Sequence, residues 1–317
     1  LPAFKRLERD LDFGSEDYHG DSGPITIRRY PHNEMEPQHQ AFLDTATALG
    51  YPECADANDP NGYGAGPQPM NKLGRLRISA AVGYLAPARG RGNLHIRPDT
   101  TVRRLLFEGR RCTGAEVQPS HLPDGDTVSH VSARLVILCA GALMSPTILL
   151  RSGVGATGQL AQLGVDTITD APGVGQNLSD HPALGVVCEV RDSSLIDFDR
   201  PIIQTILRYT AEGSDKRNDL QIEQISFAGR PGGPPSFMLA PVLEYQYGRC
   251  ELTLADAGTF TAPGVQNRFC EDPRDASRLA SCMRDALAFT RFGALAEMIE
   301  SVNFPDPSRG TELSDLE

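Results

Sequence analysis

Apolar positions along the chain recur first at helical spacing and later at strand spacing. Phe42, Leu43, Ala46 and Leu49 share one face of a helix over Gln38–Leu49, which Gly50 stops. The Gly/Pro/Asn-rich stretch from Pro52 to Gly74 is too punctuated for regular structure and predicts a long binding or lid loop. Residues 79–88 read as a short helix. Strand-like runs follow at Asn93–Arg97, Val102–Phe107, Ala115–Gln118 and Val128–Ala133, with turns at Gly109, Gly114 and Asp124-Gly125. Leu135-Val136-Ile137-Leu138-Cys139-Ala140 is apolar without alternation, the pattern of a strand covered on both faces. Ser145-Pro146 then supplies a hydroxyl cap and a proline for the first helical position. The spacing predicts helices over Thr147–Arg151 and Gln159–Leu163, stopped by Gly153 and Gly164.

Past Pro182 the pattern changes. Val186–Val190, Leu220–Phe227, Phe237–Tyr247 and Glu251–Ala255 predict strands, Ile202–Tyr209 a helical stretch, and Pro273 to Val302 a long helix or helix pair. The fold class is therefore α/β followed by α+β, the second part an antiparallel sheet flanked by helices. Three segments result: 1–92, 93–182 and 183–317.

Composition narrows the function. The 317 residues carry 30 Lys+Arg against 41 Asp+Glu, a net charge of −11, which lacks the basic footprint of a nucleic-acid binder. The longest apolar stretch, Leu135 to Leu150, is interrupted by Gly141, Ser145 and Pro146 and is too short to span a bilayer. The seven cysteines are scattered, with no CxxC pair and no Cys/His cluster at zinc spacing. This pattern predicts free thiols, no metal and a cytoplasmic setting. Arginine far outnumbers lysine, the coding bias of a GC-rich bacterial genome. The chain starts at Leu1, inside a helix-like stretch, and reads as a piece of something longer, so a targeting signal is neither assigned nor excluded.

Gly153-Val154-Gly155-Ala156-Thr157-Gly158 matches GxGxxG literally, but it follows a helix rather than a strand and reads as a helix–helix turn. Ser152 has no GxSxG elbow around it, which removes the serine-hydrolase reading. The informative run is Gly141-Ala142-Leu143-Met144-Ser145-Pro146-Thr147-Ile148-Leu149-Leu150-Arg151-Ser152-Gly153-Val154-Gly155. It resembles the second signature of the glucose-methanol-choline (GMC) oxidoreductases. Pro172-Gly173-Val174-Gly175-Gln176-Asn177-Leu178-Ser179-Asp180-His181-Pro182 resembles that family's turn between its two domains. Asn93-Leu94-His95-Ile96 with Thr101-Val102, Tyr18-His19-Gly20 with Gly23-Pro24, and Arg75 with Arg77-Ile78-Ser79 also fit. The likeness weakens after about residue 190.

The resemblance implies part of an FAD-binding doubly wound domain over 93–182, joined to a substrate domain over 183–317, with 1–92 covering the flavin and shaping the entrance. It implies hydride transfer from the CH–OH carbon of a small-molecule alcohol to FAD, with an unnamed electron acceptor; a homo-oligomer is allowed. Val102 would hold the adenine through its backbone, and Cys139, Ala140, Gly141 and Ser145 would line the FAD. The ordinary readings are a core strand residue for Val102 and a helix cap for Ser145. Asn177, Asp180 and His181 either stand near the flavin or form an Asx-type turn ended by Pro182. The remaining histidines (19, 32, 39, 95, 121 and 130) read as solvated. No catalytic residue is assigned within the chain: the family's catalytic His region is expected beyond Glu317, and its dinucleotide fingerprint before Leu1. Two alternatives follow, an FAD-containing hydroxynitrile lyase or a non-catalytic fragment that needs further parts. In the fragment reading, Leu135–Ala140 lacks flanking strands, binds FAD weakly and aggregates.

Overall fold

The computed structural model describes residues 1–229 and 232–304; residues 305–317, at the end of the 183–317 segment, lie outside the described residues. Contacts group the chain into two compact units. One comprises Leu1–Leu94, His181–Gln246 and the residues from Asp272 onward; the other comprises His95–Asp180 and Tyr247–Glu271. Residues 247–271 therefore belong with residues 95–180 and not with their neighbours in sequence.

The first unit is built on a six-stranded sheet. Its order is Ile299–Phe304, Val186–Val190, Ser236–Leu243, Leu220–Ala228, Ile203–Tyr209 and Gly64–Pro67, antiparallel throughout. Ile203–Tyr209 is a strand, where the sequence pattern favours a helix. Ile203, Thr205 and Ile206 are β-branched and fit a pleated surface, and pairing on both edges overrides the helical spacing. Gly64–Pro67 likewise forms a strand inside the stretch predicted as loop. It can approach because Gly66 has no side chain: a Cβ there would stand 1.7 Å from the Cys54 carbonyl oxygen. Gly66→Ala is expected to cost about 1–3 kcal/mol through enforced backbone displacement, read as a lower urea midpoint at unchanged m-value.

Two helices pack on this sheet. Pro37–Ala48 places His39 against Thr205 and Ser226, and Pro273–Phe289 places Asp285 2.6 Å from the Tyr209 hydroxyl. Thr205 and Tyr209 alternate onto one face, so both helices cover that face and Ile206 and Arg208 point to the other. Phe42, Leu207, Leu220, Ile222, Phe237, Leu239, Leu243 and Phe289 are completely buried, with the Phe42 and Phe289 rings stacked at 5.0 Å. The long C-terminal helix starts on Asp272, whose carboxylate accepts from the Arg274 N–H at 2.9 Å, with Pro273 at its first position. After a second helix, Gly293–Met298, the chain turns into Ile299–Phe304 and joins the sheet edge. The predicted helix pair therefore ends before residues 299–302.

His19 and His39 are buried rather than solvated. His39 is 0 % exposed, with its ring nitrogens 2.8 Å from the hydroxyls of Thr205 and Ser226. His19 lies in a charged cluster beneath the parallel pair Glu8–Asp10 and Ile25–Ile27. Its Nδ1 is 2.8 Å from Glu8 and its Nε2 2.8 Å from Asp56, while Arg29 grips both Asp10 oxygens at 3.0 and 2.9 Å and also binds Asp56. Each of these polar groups lies in a short, turn-rich stretch; only the fold brings them together.

In the second unit Thr100–Glu108, Arg111–Pro119 and Ser129–Ser132 form an antiparallel sheet, with the helix Gly141–Arg151 packed on its first strand. Asn93–Arg97 does not form the predicted strand. Leu135–Ala140 also departs from expectation: it runs without a ladder partner among the described residues, and Leu135 and Ile137 are 76 % and 77 % exposed. A strand exists only by pairing, so an apolar run without a neighbour stays irregular. The parallel pairs among the described residues are short, Glu8–Asp10 with Ile25–Ile27 and Val154–Gly155 with Thr169–Asp170; a doubly wound sheet is not formed within these residues. Glu251–Thr253 and Gly264–Gln266 make a separate hairpin. Leu150, Leu160 and Leu252 form this unit's buried apolar cluster. Among the described residues no helix is long and apolar enough to cross a membrane.

Candidate functional site

The site begins where Leu135–Ala140 meets the Gly141–Arg151 helix. The helix starts at Gly141, five residues earlier than the Ser145-Pro146 signal predicts. Gly141 has φ +82°, a conformation that glycine adopts at little cost, and this lets the chain turn into the helix at once. Ser145 then acts from inside the first turns: its Oγ accepts the Ala140 N–H at 3.0 Å. Pro146 has no N–H to offer the Ala142 carbonyl, so the helical ladder is open there. Ala140, Gly141 and Ala142 are small and exposed, and the first N–H groups of this 11-residue helix carry the positive end of its dipole.

A cleft of about 510 Å³ lies against this helix. Ala142, Ser145, Pro146 and Leu149 form one wall, and the turn from Gly173 to Ser179, with Leu252, forms the other. The turn is fastened to the Glu251–Thr253 strand: the Leu252 N–H donates to the Gly175 carbonyl at 2.7 Å, and Leu178 and Cys250 exchange backbone bonds of 2.9 and 2.8 Å. Gly175 sits at φ +83° and Asn177 at φ +58°, the left-handed region that glycine and asparagine tolerate best. A Cβ on Gly141 or Gly173 would meet nothing within 4 Å, so both positions face open space.

The sequence-predicted residues fall into three groups. Ser145 and Asn177 share the cleft, and Cys139, Ala140 and Gly141 lead directly into it, all exposed. Val102 lies on the Thr100–Glu108 strand, half-buried and paired with Val117, and Asp180 lies exposed just past the cleft-lining turn. His181 belongs to the first unit, where its Nε2 stands 3.6 Å from a Glu244 oxygen. Sequence reasoning missed Ala142, Pro146, Gly173 and Leu252 as cleft walls. The first three lie inside quoted motifs; Leu252 is remote in sequence and carries no local signal. The GxGxxG run is a packing turn, since a Cβ on Gly153 would stand 2.4 Å from the Asp166 carbonyl oxygen. Among the described residues no group of three His, Cys, Asp or Glu side chains is placed to hold a metal.

Residues 1–183 match the family model described as GMC oxidoreductase. The chain belongs to the GMC oxidoreductase family. FAD is the cofactor of this family. This GMC chain is 32 % identical over 336 residues to a 5-(hydroxymethyl)furfural oxidase of Methylovorus sp., covering 100 % of the chain and 60 % of that relative. It is 40 % identical over 183 residues to an oxygen-dependent choline dehydrogenase of Xanthomonas campestris, covering 57 % of the chain and 32 % of the relative. The crystal structure of pyridoxine 4-oxidase from Mesorbium loti superposes with a TM-score of 0.86 at 25 % identity, covering 96 % of the chain and 60 % of that protein. The chain thus spans a third to three-fifths of the length of these proteins.

The cleft fits such a cofactor at its walls. Small residues let a flat or extended group reach the backbone, the helix start favours an anionic group, and Gly141 and Gly173 leave their Cβ space open.

Proposed function

We propose that this chain supplies part of an FAD-dependent oxidoreductase that oxidises the CH–OH group of a small alcohol. The observation that carries the reading is the cleft built from the Gly141–Arg151 helix and the Gly173–Ser179 turn, set in a chain of this family. FAD, when bound, supplies an electron-pair acceptor for the hydride leaving the alcohol carbon.

The chain's own residues bind and position. Ala140, Gly141 and Ala142 present backbone, and the start of the helix holds negative charge. Ser145, tied to the Ala140 N–H, fixes the approach of the 135–140 run to the helix. Val102 presents its backbone from the strand, and Cys139 flanks the same approach. Asn177 holds the left-handed turn that forms the far wall, with Asp180 next to it. His181, facing Glu244, is a positioning residue in the other unit. No residue of the chain is proposed as the base that takes the hydroxyl proton. The exposed Leu135 and Ile137 support a further reading, that these 317 residues act only with additional protein covering this run.

The test is optical. In a protein carrying these residues, flavin absorbance should bleach anaerobically on addition of a primary alcohol; a colourless preparation, or flavin that no alcohol reduces, removes the reading. Ala142→Trp places an indole in the cleft from an exposed helical position. It is expected to lower flavin content roughly ten-fold, equivalent to about 1.4 kcal/mol, with the far-UV circular dichroism unchanged.

A further inference from the structure

The first unit holds a cavity of about 580 Å³, lined by parts of residues 30–37, 72–75 and 199–201. That volume admits a small organic molecule. Tyr30, Met35 and Pro201 supply its more buried walls, whereas Glu34, Arg75 and Arg200 are exposed. Lys72 is the one lysine of the lining, half-buried, with its Nζ 2.7 Å from the centre of the Tyr30 ring.

The backbone fixes this pair. Arg28 and Met70 exchange backbone bonds of 2.9 and 3.0 Å, which tie the Lys72 hairpin to the strand leading into Tyr30. Within the hairpin Lys72 and Leu73 pair with Arg77 and Leu76, and the Asn71 carbonyl closes it by accepting the Ile78 N–H at 2.8 Å.

Lys72 is unlike the other two lysines of the chain. Lys5 Nζ donates to the Asp17 carbonyl at 2.7 Å, and Lys216 Nζ stands 3.0 Å from an Asp215 oxygen. Among the described residues no carboxylate oxygen lies within 4 Å of Lys72 Nζ. The ring face attracts an ammonium, but it offers neither a countercharge nor a carboxylate acceptor. Burial therefore pushes the Lys72 ammonium down to about 8; Glu34 and Asp12 oppose this, and Arg28 adds to it. Arg75, which donates to the Asp199 carbonyl at 2.7 Å, is a further cation of the lining. Tyr30 stays a neutral phenol, its own value raised by burial. About a quarter of Lys72 is then uncharged at pH 7.5, a nucleophile on the wall of a cavity.

An uncharged amine adds to a carbonyl carbon. The two protons of the nitrogen leave with the carbonyl oxygen as water, a C=N bond replaces the C=O bond, and no electrons are gained or lost. The lining selects among carbonyl compounds. Arg200 is paired with Glu36 at 3.4 Å, which leaves Glu34 and Asp199 against Arg75 and disfavours an anion. Tyr30, Met35 and Pro201 favour an apolar body.

We propose that Lys72 is a carbonyl-capturing site, which forms a reversible imine with a small neutral aldehyde held in this cavity. An aldehyde is also what the alcohol oxidation proposed above yields, but the capture needs no flavin, so the two readings fail separately.

The test uses the full-length protein, benzaldehyde as the probe and borohydride to trap the imine, with the benzyl mark located by peptide mass spectrometry. At pH 7.5 Lys72 is expected to be marked about ten-fold more than Lys5 or Lys216, the internal controls. Marking at Lys72 should saturate with benzaldehyde, fall when unreactive benzamide is added, and exceed that given by 4-carboxybenzaldehyde. Glu34→Gln, at an exposed position, removes the charge that most favours the ammonium and should raise marking at pH 7 about two-fold. The proposal is overturned if Lys72 is unmarked or marked no more than the controls, or if its marking neither saturates nor yields to benzamide. Preference for 4-carboxybenzaldehyde, or no increase in Glu34→Gln, overturns it equally.

Discussion

Arg29→Met is expected to lower the unfolding free energy by about 3–5 kcal/mol, the cost of breaking a buried ion pair from one side. Arg29 is 4 % exposed and carries two carboxylates at once, Asp10 in a two-pronged grip and Asp56 from its other nitrogen, with the Phe13 ring 4.7 Å away. Removing the guanidinium leaves Asp10 and Asp56, 4 % and 5 % exposed, with His19 and the backbone N–H groups of Asp12, Phe13 and Asn58 to offset them. Arg29→Lys keeps a charge but not the planar fork, so an intermediate loss is expected. Combining Arg29→Met with Asp10→Asn removes one stranded charge and should recover part of the loss. Guanidinium unfolding of the variants measures this, and a loss under about 1 kcal/mol for Arg29→Met would show that the cluster is solvent-screened and contributes as a surface pair does.

The same cluster shows where sequence reasoning stops. Helices and strands whose pattern is local were legible: Pro37–Ala48 from its apolar face and Gly50, Leu220–Ala228 and Ser236–Leu243 from their apolar runs. The family was legible because the 141–155 run is long and position-specific. Ile203–Tyr209 was not, since four- to seven-residue apolar runs read equally as helix or strand until pairing decides. Leu135–Ala140 failed in the opposite sense: its composition describes an environment covered on both faces, and the described residues do not supply one. Every lining residue of the cleft except Leu252 lies inside the two quoted motifs, although only Ser145 and Asn177 were read from them as site residues. Leu252 was not legible, because it reaches the Gly175 turn from more than seventy positions away through a backbone bond that any residue could make. His19 and His39 were misjudged for a similar reason. Both lie in polar stretches, and it is the long-range partners, Asp56 for one and Thr205 and Ser226 for the other, that make burial tolerable.

Those two histidines set the pH range of stability from opposite sides. Burial pushes the His39 imidazole down to about 3, so it stays neutral in the folded protein while the unfolded chain takes up a proton near pH 6.5. The unfolded state then binds more protons as pH falls, and stability should drop by about 1.4 kcal/mol per unit below pH 6.5, on the order of 4 kcal/mol by pH 3.5. Burial also opposes charge on His19, but its hydrogen bonds to Asp56 and Glu8 and the Asp10 charge outweigh this and raise its affinity for a proton. His19 therefore contributes stability in full below pH 6.5 and loses it as pH rises through its raised value. Asp56 is burdened by desolvation, yet the His19 and Arg29 contacts hold it below the usual carboxylate range; its contribution is lost only at the acid end, as pH falls through that lowered value. Urea midpoints collected from pH 3.5 to 9 should trace a dome. His39→Gln should flatten its acid limb between pH 6.5 and 4.5, where carboxylates contribute least, and His19→Gln should flatten the alkaline limb. An acid limb unchanged in His39→Gln would mean that the imidazole is already hydrated and protonated in the folded state, contrary to its burial between Thr205 and Ser226.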